Sequence, residues 1–278
     1  MNRGKWGVNR MSKNAKTEKK IKDAINLRFN IIESSYQNFK NNPYSTNHVH
    51  RLRVELRKLR ALLSCLKPVL NIDIYQYVNS ELKAIGLELS KKRDLDTLIE
   101  VLEETAIKEG ELLSNYADLF GYLEKERLKE ADRVGSNRII SSFDLTFTEI
   151  QQTLDELIFH LDTKKYIRLE NFVVHRFNKK AKNLKKKYKK TIKTDYDNVH
   201  ELRKDAKKVR YAAVGFKNVL PNKIRKKIKK EAKYIQEDLG FRTDYFVVIQ
   251  LLEQYSQNAS EIELKDSFTE LVNYFKIK

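Results

Sequence analysis

The sequence contains very few residues that interrupt helices, with three prolines and eight glycines among 278 residues. Between them, apolar residues recur at intervals of three and four, the spacing of an amphipathic helix. No apolar run approaches the 18 or more residues that a membrane-spanning helix needs, although hydrophobic residues make up 41% of the chain. These features predict an all-α protein with a sizeable core and no membrane span.

Cysteine is almost absent as well. Cys65 is the single one, so no disulfide can form within the chain, and its place beside Leu66 predicts a packing role. The stretch Met1–Lys20 is basic and polar and has no apolar core, so no signal peptide is expected. These observations predict a cytoplasmic protein.

Positive charge is abundant but unevenly distributed. The net charge is +18, yet residues 164–233 alone hold 26 lysines and arginines against six acidic residues, a net charge of +20. The rest of the chain therefore sums to −2. A field concentrated in one segment indicates a polyanionic partner.

One stretch is written twice, at Val49–Arg60 and at Val199–Arg210, 150 residues apart without a gap. Identical residues recur at six positions of the pair, and Arg57 recurs as Lys207 with its charge kept. On a helix, Val49 and the leucines that follow it form an apolar stripe. The repeat predicts two helices of similar build at comparable positions.

Beside each stripe runs a row of cations. His50, Arg53, Arg57 and Arg60 step by three, four and three, which places them within an arc of roughly 80°. We call these four residues the first column and their counterparts His200, Arg203, Lys207 and Arg210 the second column. Charges on a solvent face usually alternate in sign, so two same-sign columns in one register favour anion binding.

The pattern His-x-x-Arg-x-x-x-Arg/Lys, present twice, resembles the CHAD family, whose name stands for an α-helical domain with characteristic histidines. Arg93-Asp94-Leu95-Asp96 resembles a second element of that family. Leu239-Gly240-Phe241-Arg242-Thr243-Asp244 resembles its partner in the second half, with Thr243 where the family tends to have Asn. The resemblance spans roughly residues 15–275.

The resemblance implies two helical bundles related by a pseudo-twofold axis, with the repeated helices flanking a basic groove. It also implies binding of inorganic polyphosphate and a location at polyphosphate granules. Arg and Lys suit phosphate oxygens, and a histidine beside phosphate is biased toward its charged form. The predicted polyphosphate-binding residues are His50, Arg53, Arg57, Lys58, Arg60, His200, Arg203, Lys204, Lys207, Lys208, Arg210, Lys179 and Lys186.

Two carboxylates, Asp94 and Asp244, are again 150 residues apart. A carboxylate beside a basic column can fix an arginine rotamer and keep a histidine protonated, so both are predicted to support the columns. Asp94 is equally predicted as the N-cap of a helix that runs to about Lys108.

The predicted organisation has three parts. Residues 1–15 form a flexible basic arm, residues 16–162 the first bundle half and residues 163–278 the second. The turn Asn41-Asn42-Pro43 and the caps Thr46 or Asn47 precede the first repeated helix, and Asp195 or Asp197 caps the second.

Two other functional classes compete with this interpretation. An RNA- or DNA-binding module would use the same positive field, although few aromatic residues accompany the columns for base stacking. An enzyme is suggested by Glu261-Ile262-Glu263-Leu264-Lys265, which matches a motif of triphosphate tunnel enzymes, but only 13 residues follow it. We therefore predict no catalysis, no cofactor and no metal site, since arginines around a histidine oppose a metal cation.

Overall fold

Helices make up almost all of the chain in this computed structural model, which describes residues 3–109, 116–161, 168–192 and 195–277. Side chains are described within these ranges except at residues 3–13, 109 and 241–244. The helices are α1 (Arg3–Asn41), α2 (Thr46–Leu66), α3 (Ile72–Glu88), α4 (Ser90–Glu109), α5 (Ala117–Val134), α6 (Asn137–Asp155), α7 (Leu169–Lys190), α8 (Tyr196–Gly215), α9 (Asn222–Asp238), α10 (Gly240–Asn258) and α11 (Ile262–Ile277). The predicted all-α class is confirmed.

The positions of the helices follow the sequence repeat. The starts of α2, α3 and α4 lie at residues 46, 72 and 90, and those of α8, α9 and α10 lie 150 residues later in each case. The N-cap residues of α2 and α8 correspond as well: Ser45 Oγ accepts from the His48 N–H at 3.4 Å, and an Asp195 carboxylate oxygen accepts from the Asn198 N–H at 3.2 Å. The N-cap of α2 is Ser45, so the prediction of Thr46 or Asn47 was one or two residues too late. The common register is consistent with the predicted internal repeat.

The backbone at the N-terminus differs from the prediction of a flexible arm over residues 1–15, because α1 is helical from Arg3 onward. No proline interrupts this stretch. Once the amphipathic part of α1 has formed, each added residue extends an existing helix and avoids the cost of a new nucleus.

Two hydrophobic cores organise the helices. The first core draws buried residues from α1, α2, α3, α6, α7, α8 and α9, together with Val134 at the end of α5. The second core draws them from α4, α5, α10 and α11. Each core takes helices from both sequence halves, so the apolar packing crosses the predicted boundary at 162/163.

The repeated helices α2 and α8 pack directly on each other inside the first core. Leu52, Leu56 and Leu59 of α2 are at most 1% exposed, as the apolar stripe predicts. Near the end of α8, a Cβ on Gly215 would stand 2.8 Å from Leu62 Cδ1, so a larger residue there would force the Leu62 side chain to shift. The close contact fixes how both helices are rotated about their axes.

A fully buried ion pair lies on α4. Lys92 Nζ donates to Asp96 Oδ1 at 2.5 Å, and both side chains are 0% exposed. Burial raises the pKa of Asp96, against the opposing effect of Lys92. Lys92 and Asp96 are one helical turn apart, and Arg93 and Asp94 lie between them. The pair therefore anchors the segment that carries the second predicted motif.

Removing one member of this pair should destabilise the fold strongly, because it leaves the other buried without compensation. We expect Asp96→Leu to lower the free energy of unfolding by about 3 to 5 kcal/mol and Lys92→Met/Asp96→Leu to recover most of it. Denaturant unfolding followed by circular dichroism measures both values. Lys129→Gln, which breaks the exposed pair with Glu126, serves as the control and should change little. Equal losses in the single and double variants would contradict the prediction.

Candidate functional site

The first column lies on the side of α2 that faces α3 and α4. Arg53 Nη1 donates to the carbonyl oxygen of Gly86 in the last turn of α3. Arg60 Nε donates to Asn79 Oδ1 on the same helix at 3.1 Å. These bonds are possible because α2 packs against α3 and α4 along the edge of its apolar stripe. The column is therefore held at a helix junction.

Arg53 is the most constrained cation of the first column. Burial is the main cause that lowers its pKa to about 10, and the nearby Arg57 and Arg93 act in the same direction. Its Nε has no hydrogen-bond partner among the described residues. A pKa of about 10 still leaves the group charged at neutral pH, so Arg53 is a fixed cation with an unused donor.

Asp94 lies among the arginines of this junction. Burial raises the pKa of Asp94, and Arg53, Arg57 and Arg93 oppose that rise in this order. The alternative prediction, that Asp94 caps a helix, is wrong because α4 begins at Ser90 and places Asp94 inside its second turn. The carboxylate supplies negative charge between cations that would otherwise only repel each other.

Sequence reasoning missed one pair beside the column. Arg93 donates from Nη1 and Nη2 to the two carboxylate oxygens of Glu100, both at 3.1 Å. Both residues act electrostatically on His50. The signal was present, since Arg93 precedes Asp94 in the motif and Glu100 follows seven residues later, two helical turns along the same face.

The second column occupies the corresponding side of α8. Arg203 Nη2 lies 3.7 Å from the place where a Cβ on Gly240 would stand, at the start of α10. Arg210 lies over the ring of Tyr211, 5.3 Å from its centroid. Each column thus reaches the region where the next two helices meet, Arg53 at the end of α3 and Arg203 at the start of α10.

His200 is held by an aromatic stack. Its ring lies 5.6 Å from the ring of Tyr196, and Nδ1 is 3.5 Å from the Tyr196 hydroxyl. The ring of Tyr196 also stacks on Phe246 of α10 at 3.4 Å between centroids. This stack connects the start of α8 to α10 and fixes the orientation of the histidine.

The two histidines titrate differently from the prediction that carboxylates keep them protonated. Burial and then Arg93 lower the pKa of His50, while Glu100 opposes them. Burial and then Lys204 lower the pKa of His200. The pKa of each histidine is therefore lowered in the free protein, because burial and nearby cations together outweigh the carboxylates.

Four helices next to the columns contact one another in turn. The pairs α2–α8, α8–α10, α10–α4 and α4–α2 are all in contact, so these helices form a closed cycle that we call the four-helix ring. Arg53 is close to Asp94 of α4, and Arg203 is close to Gly240 of α10, so each arginine lies near a second helix of this cycle. The ring spans the junction of the two cores, since α2 and α8 belong to the first and α4 and α10 to the second.

Three predicted lysines are engaged elsewhere. Lys58 Nζ binds Glu55 at 2.5 Å, and the same carboxylate binds Arg28 of α1 at 2.6 Å. Helix geometry places Lys58 about 100° from Arg57, away from the first column.

The second half repeats this arrangement. Lys208 binds Asp205 at 3.4 Å, Asp205 also binds Lys187 of α7 at 2.7 Å, and Lys204 binds Glu201 at 2.8 Å. Asp205 is 150 residues from Glu55, so each repeated helix uses an acid at the same position to hold the helix behind it.

Lys179 and Lys186 are exposed on α7, which packs against α1, α2, α8 and α9. Its link to α8 runs through Asp205, roughly 180° around α8 from the middle of the second column. These lysines therefore lie behind the ring and do not extend its wall. Asp244 belongs to α10, and its side chain lies outside the described residues.

Within the described residues, no group of three or more His, Cys, Asp or Glu side chains could hold a metal ion. None of the helices in that part of the chain is both long enough and apolar enough to cross a bilayer. The side chains that meet at the ring supply several cations and one carboxylate, a set suited to binding an anion.

The pKa of His50 reports directly on the charge of the ring. We expect Arg57→Gln to raise that pKa, because the substitution removes a cation that opposes protonation. NMR titration of the histidine ring protons, assigned with His50→Gln, measures the shift. The matched control is Arg51→Gln, an exposed arginine about 120° from Arg57 around the same helix, which should leave the value in place. An equal rise in both variants would contradict the arrangement.

Comparison with known proteins agrees with this fold. The profile of one family, the CHAD domain, matches residues 39–253. A crystal structure of the CHAD domain from the plant Ricinus communis is similar with a TM-score of 0.73 and 18% identity, over 93% of this chain and 85% of that chain. PptA from Streptomyces chartreusis is similar with a TM-score of 0.64 and 11% identity, over 93% of this chain and 96% of that chain. No curated protein matches the sequence significantly.

Proposed function

Because this chain belongs to the CHAD family, we propose that it binds inorganic polyphosphate in the four-helix ring, without catalysis, and that it is located at polyphosphate granules. Polyphosphate binding is known for the family. The observation that carries the proposal is the placement of two cationic columns along one closed cycle of four helices.

The chemistry of the columns suits a chain with a negative charge at every unit. A column of four residues from His50 to Arg60 is on the order of 15 Å long, so it presents cations along a line. Arginine offers a planar fork of donors to phosphate oxygens, and lysine offers a mobile point charge. Arg53 keeps one buried donor unused, which a phosphate oxygen can accept from.

The members of the columns have different roles in this proposal. Arg53 and Arg60 are bound to backbone or amide oxygens of α3, so they hold a fixed position. Arg57 is exposed and has no ion-pair partner among the described residues, so it can reach a ligand. Asp94 lowers the repulsion among the arginines until the ligand replaces it.

Removing one cation from each column should weaken polyphosphate binding. We expect Arg57→Gln/Lys207→Gln to reduce affinity about tenfold or more per substitution, because a hydrogen bond to a charged group contributes about 1.5 to 3 kcal/mol. Each lost phosphate contact should also lower the slope of log affinity against log salt concentration by about 0.7. Fluorescence anisotropy with labelled long polyphosphate at several salt concentrations measures both.

The control is Arg51→Gln/Lys125→Gln, which removes the same charge from exposed positions on α2 and α5 outside the columns. Unchanged affinity in the column variant, or an equal loss in the control, would show that polyphosphate does not bind in the four-helix ring. Competition with single-stranded RNA and duplex DNA tests the alternative partner. Nucleic acid that competes equally per charge would make the protein a general polyanion binder.

Binding should also depend on pH through the two histidines. Their pKa values are lowered in the free protein, and a bound polyanion raises them, so binding takes up protons. Affinity should therefore fall as pH rises over roughly pH 5 to 8. We expect His50→Gln/His200→Gln to flatten this dependence, with His175→Gln on α7 as the control.

Long polyphosphate is needed for this measurement, because the terminal phosphates titrate near pH 6 and are a small fraction of a long chain. Calorimetry in two buffers of different ionisation enthalpy counts the protons taken up. No proton uptake in the unmodified protein would contradict a histidine contribution.

A further inference from the structure

A second group of cations lies behind the ring, on the facing edges of α7 and α9. They are exposed lysines that form no hydrogen bond or ion pair with any residue the structure describes. We call this group the lysine strip: Lys182, Lys185 and Lys189 on α7, and Lys223, Lys227 and Lys230 on α9.

The two halves of the strip are brought together by an aromatic contact. Tyr188 Oη donates to Asp238 Oδ2 at 2.8 Å, and the rings of Tyr188 and Tyr234 meet at 81° with centroids 6.3 Å apart. Helix geometry places the α7 lysines within about 120° of Tyr188 and the α9 lysines within about 40° of Tyr234. The strip therefore runs along both sides of this helix contact.

The other edge of α9 faces the ring. Asn79 of α3 accepts a hydrogen bond from Arg60, and in the repeat Lys229 of α9 corresponds to Asn79 and Arg210 of α8 corresponds to Arg60. The exposed Lys226 and Lys233 lie within about 60° of Lys229. Helix α9 also packs on both α8 and α10 of the ring. The cations of α9 therefore extend from its edge beside the ring across to the strip.

The first half of the chain has no equivalent path. The residues of α3 that correspond to Lys226, Lys227 and Lys230 are Gln76, Tyr77 and Ser80, so the extension is confined to one side of the ring.

The strip does not help the fold electrostatically. Like charges one turn apart on a helix repel each other, and Lys223 in the first turn of α9 opposes the helix dipole. Among the described residues near the strip, Asp205 and Glu237 form ion pairs, and their partners are Lys187, Lys208 and Lys233. An external polyanion would remove this repulsion.

We propose that the lysine strip is a second polyphosphate-binding surface, which a long chain occupies after it leaves the ring across α9. This inference rests on the proposed function of the ring. A ligand that contacts both surfaces gains affinity through effective concentration, whereas a ligand short enough to stay in the ring does not. The strip therefore makes binding depend on chain length.

The experiment compares tripolyphosphate with long polyphosphate on the full chain. We expect Lys182→Gln/Lys185→Gln/Lys189→Gln to reduce affinity for the long chain about tenfold or more, and to leave tripolyphosphate binding unchanged. The control Lys125→Gln/Lys129→Gln/Lys265→Gln removes the same charge from exposed lysines on α5 and α11 and should change neither. The ring variant Arg57→Gln/Lys207→Gln should reduce both. Circular dichroism of each variant verifies the fold.

Each alternative outcome has a separate meaning. If the ring variant reduces both affinities and the strip variant reduces neither, the inference is overturned and the proposed function stands. If the ring variant reduces neither, the proposed function fails and the inference fails with it. If the strip variant loses affinity for single-stranded RNA but keeps it for long polyphosphate, the strip is a nucleic-acid surface and the inference is overturned.

Discussion

The contact between α2 and α8 determines most of the site. Each helix buries an apolar stripe in the first core, and Gly215 allows α8 to approach Leu62 closely. Because side chains on a helix keep fixed angular relations, this contact also fixes where the residues beside the stripe must point. Neither helix can rotate its cationic column away from this position without removing apolar residues from the core. Hydrophobic burial thus holds like charges together.

Keeping these charges together has an electrostatic cost in the free protein. It is visible in the lowered pKa values of Arg53, His50 and His200, for which burial is the largest cause. Backbone and carboxylate oxygens offset part of it, through the bond from Arg53 to Gly86 and the proximity of Asp94. A site that is rigid and partly desolvated before binding loses less entropy when an anion arrives. The same arrangement therefore weakens the empty protein and strengthens the complex.

The sequence predicted the all-α class and the family correctly, because both depend on spacing that is legible along the chain. Assignments that depend on a partner in another helix were less successful. Lys58 was placed in the wall although its ion pair is with Glu55, a carboxylate that also binds Arg28 of α1. The prediction that carboxylates keep the histidines protonated was wrong, because burial and the position of Arg93 come from tertiary packing. The buried pair on α4 was missed for the same reason, since an i,i+4 pair of charges normally indicates a solvent-exposed face.

The sharing of both cores between the sequence halves has a consequence for synthesis on the ribosome. Helices α4 and α5 share the second core with α10 and α11, which are translated well over a hundred residues later. The first half of the nascent chain therefore emerges with its second-core surface uncovered and must wait for the last helices before it is complete. Such long-range pairing slows folding and prolongs the exposure of apolar surface. Translation speed and chaperone access over this interval will thus influence how much of the protein reaches its folded state.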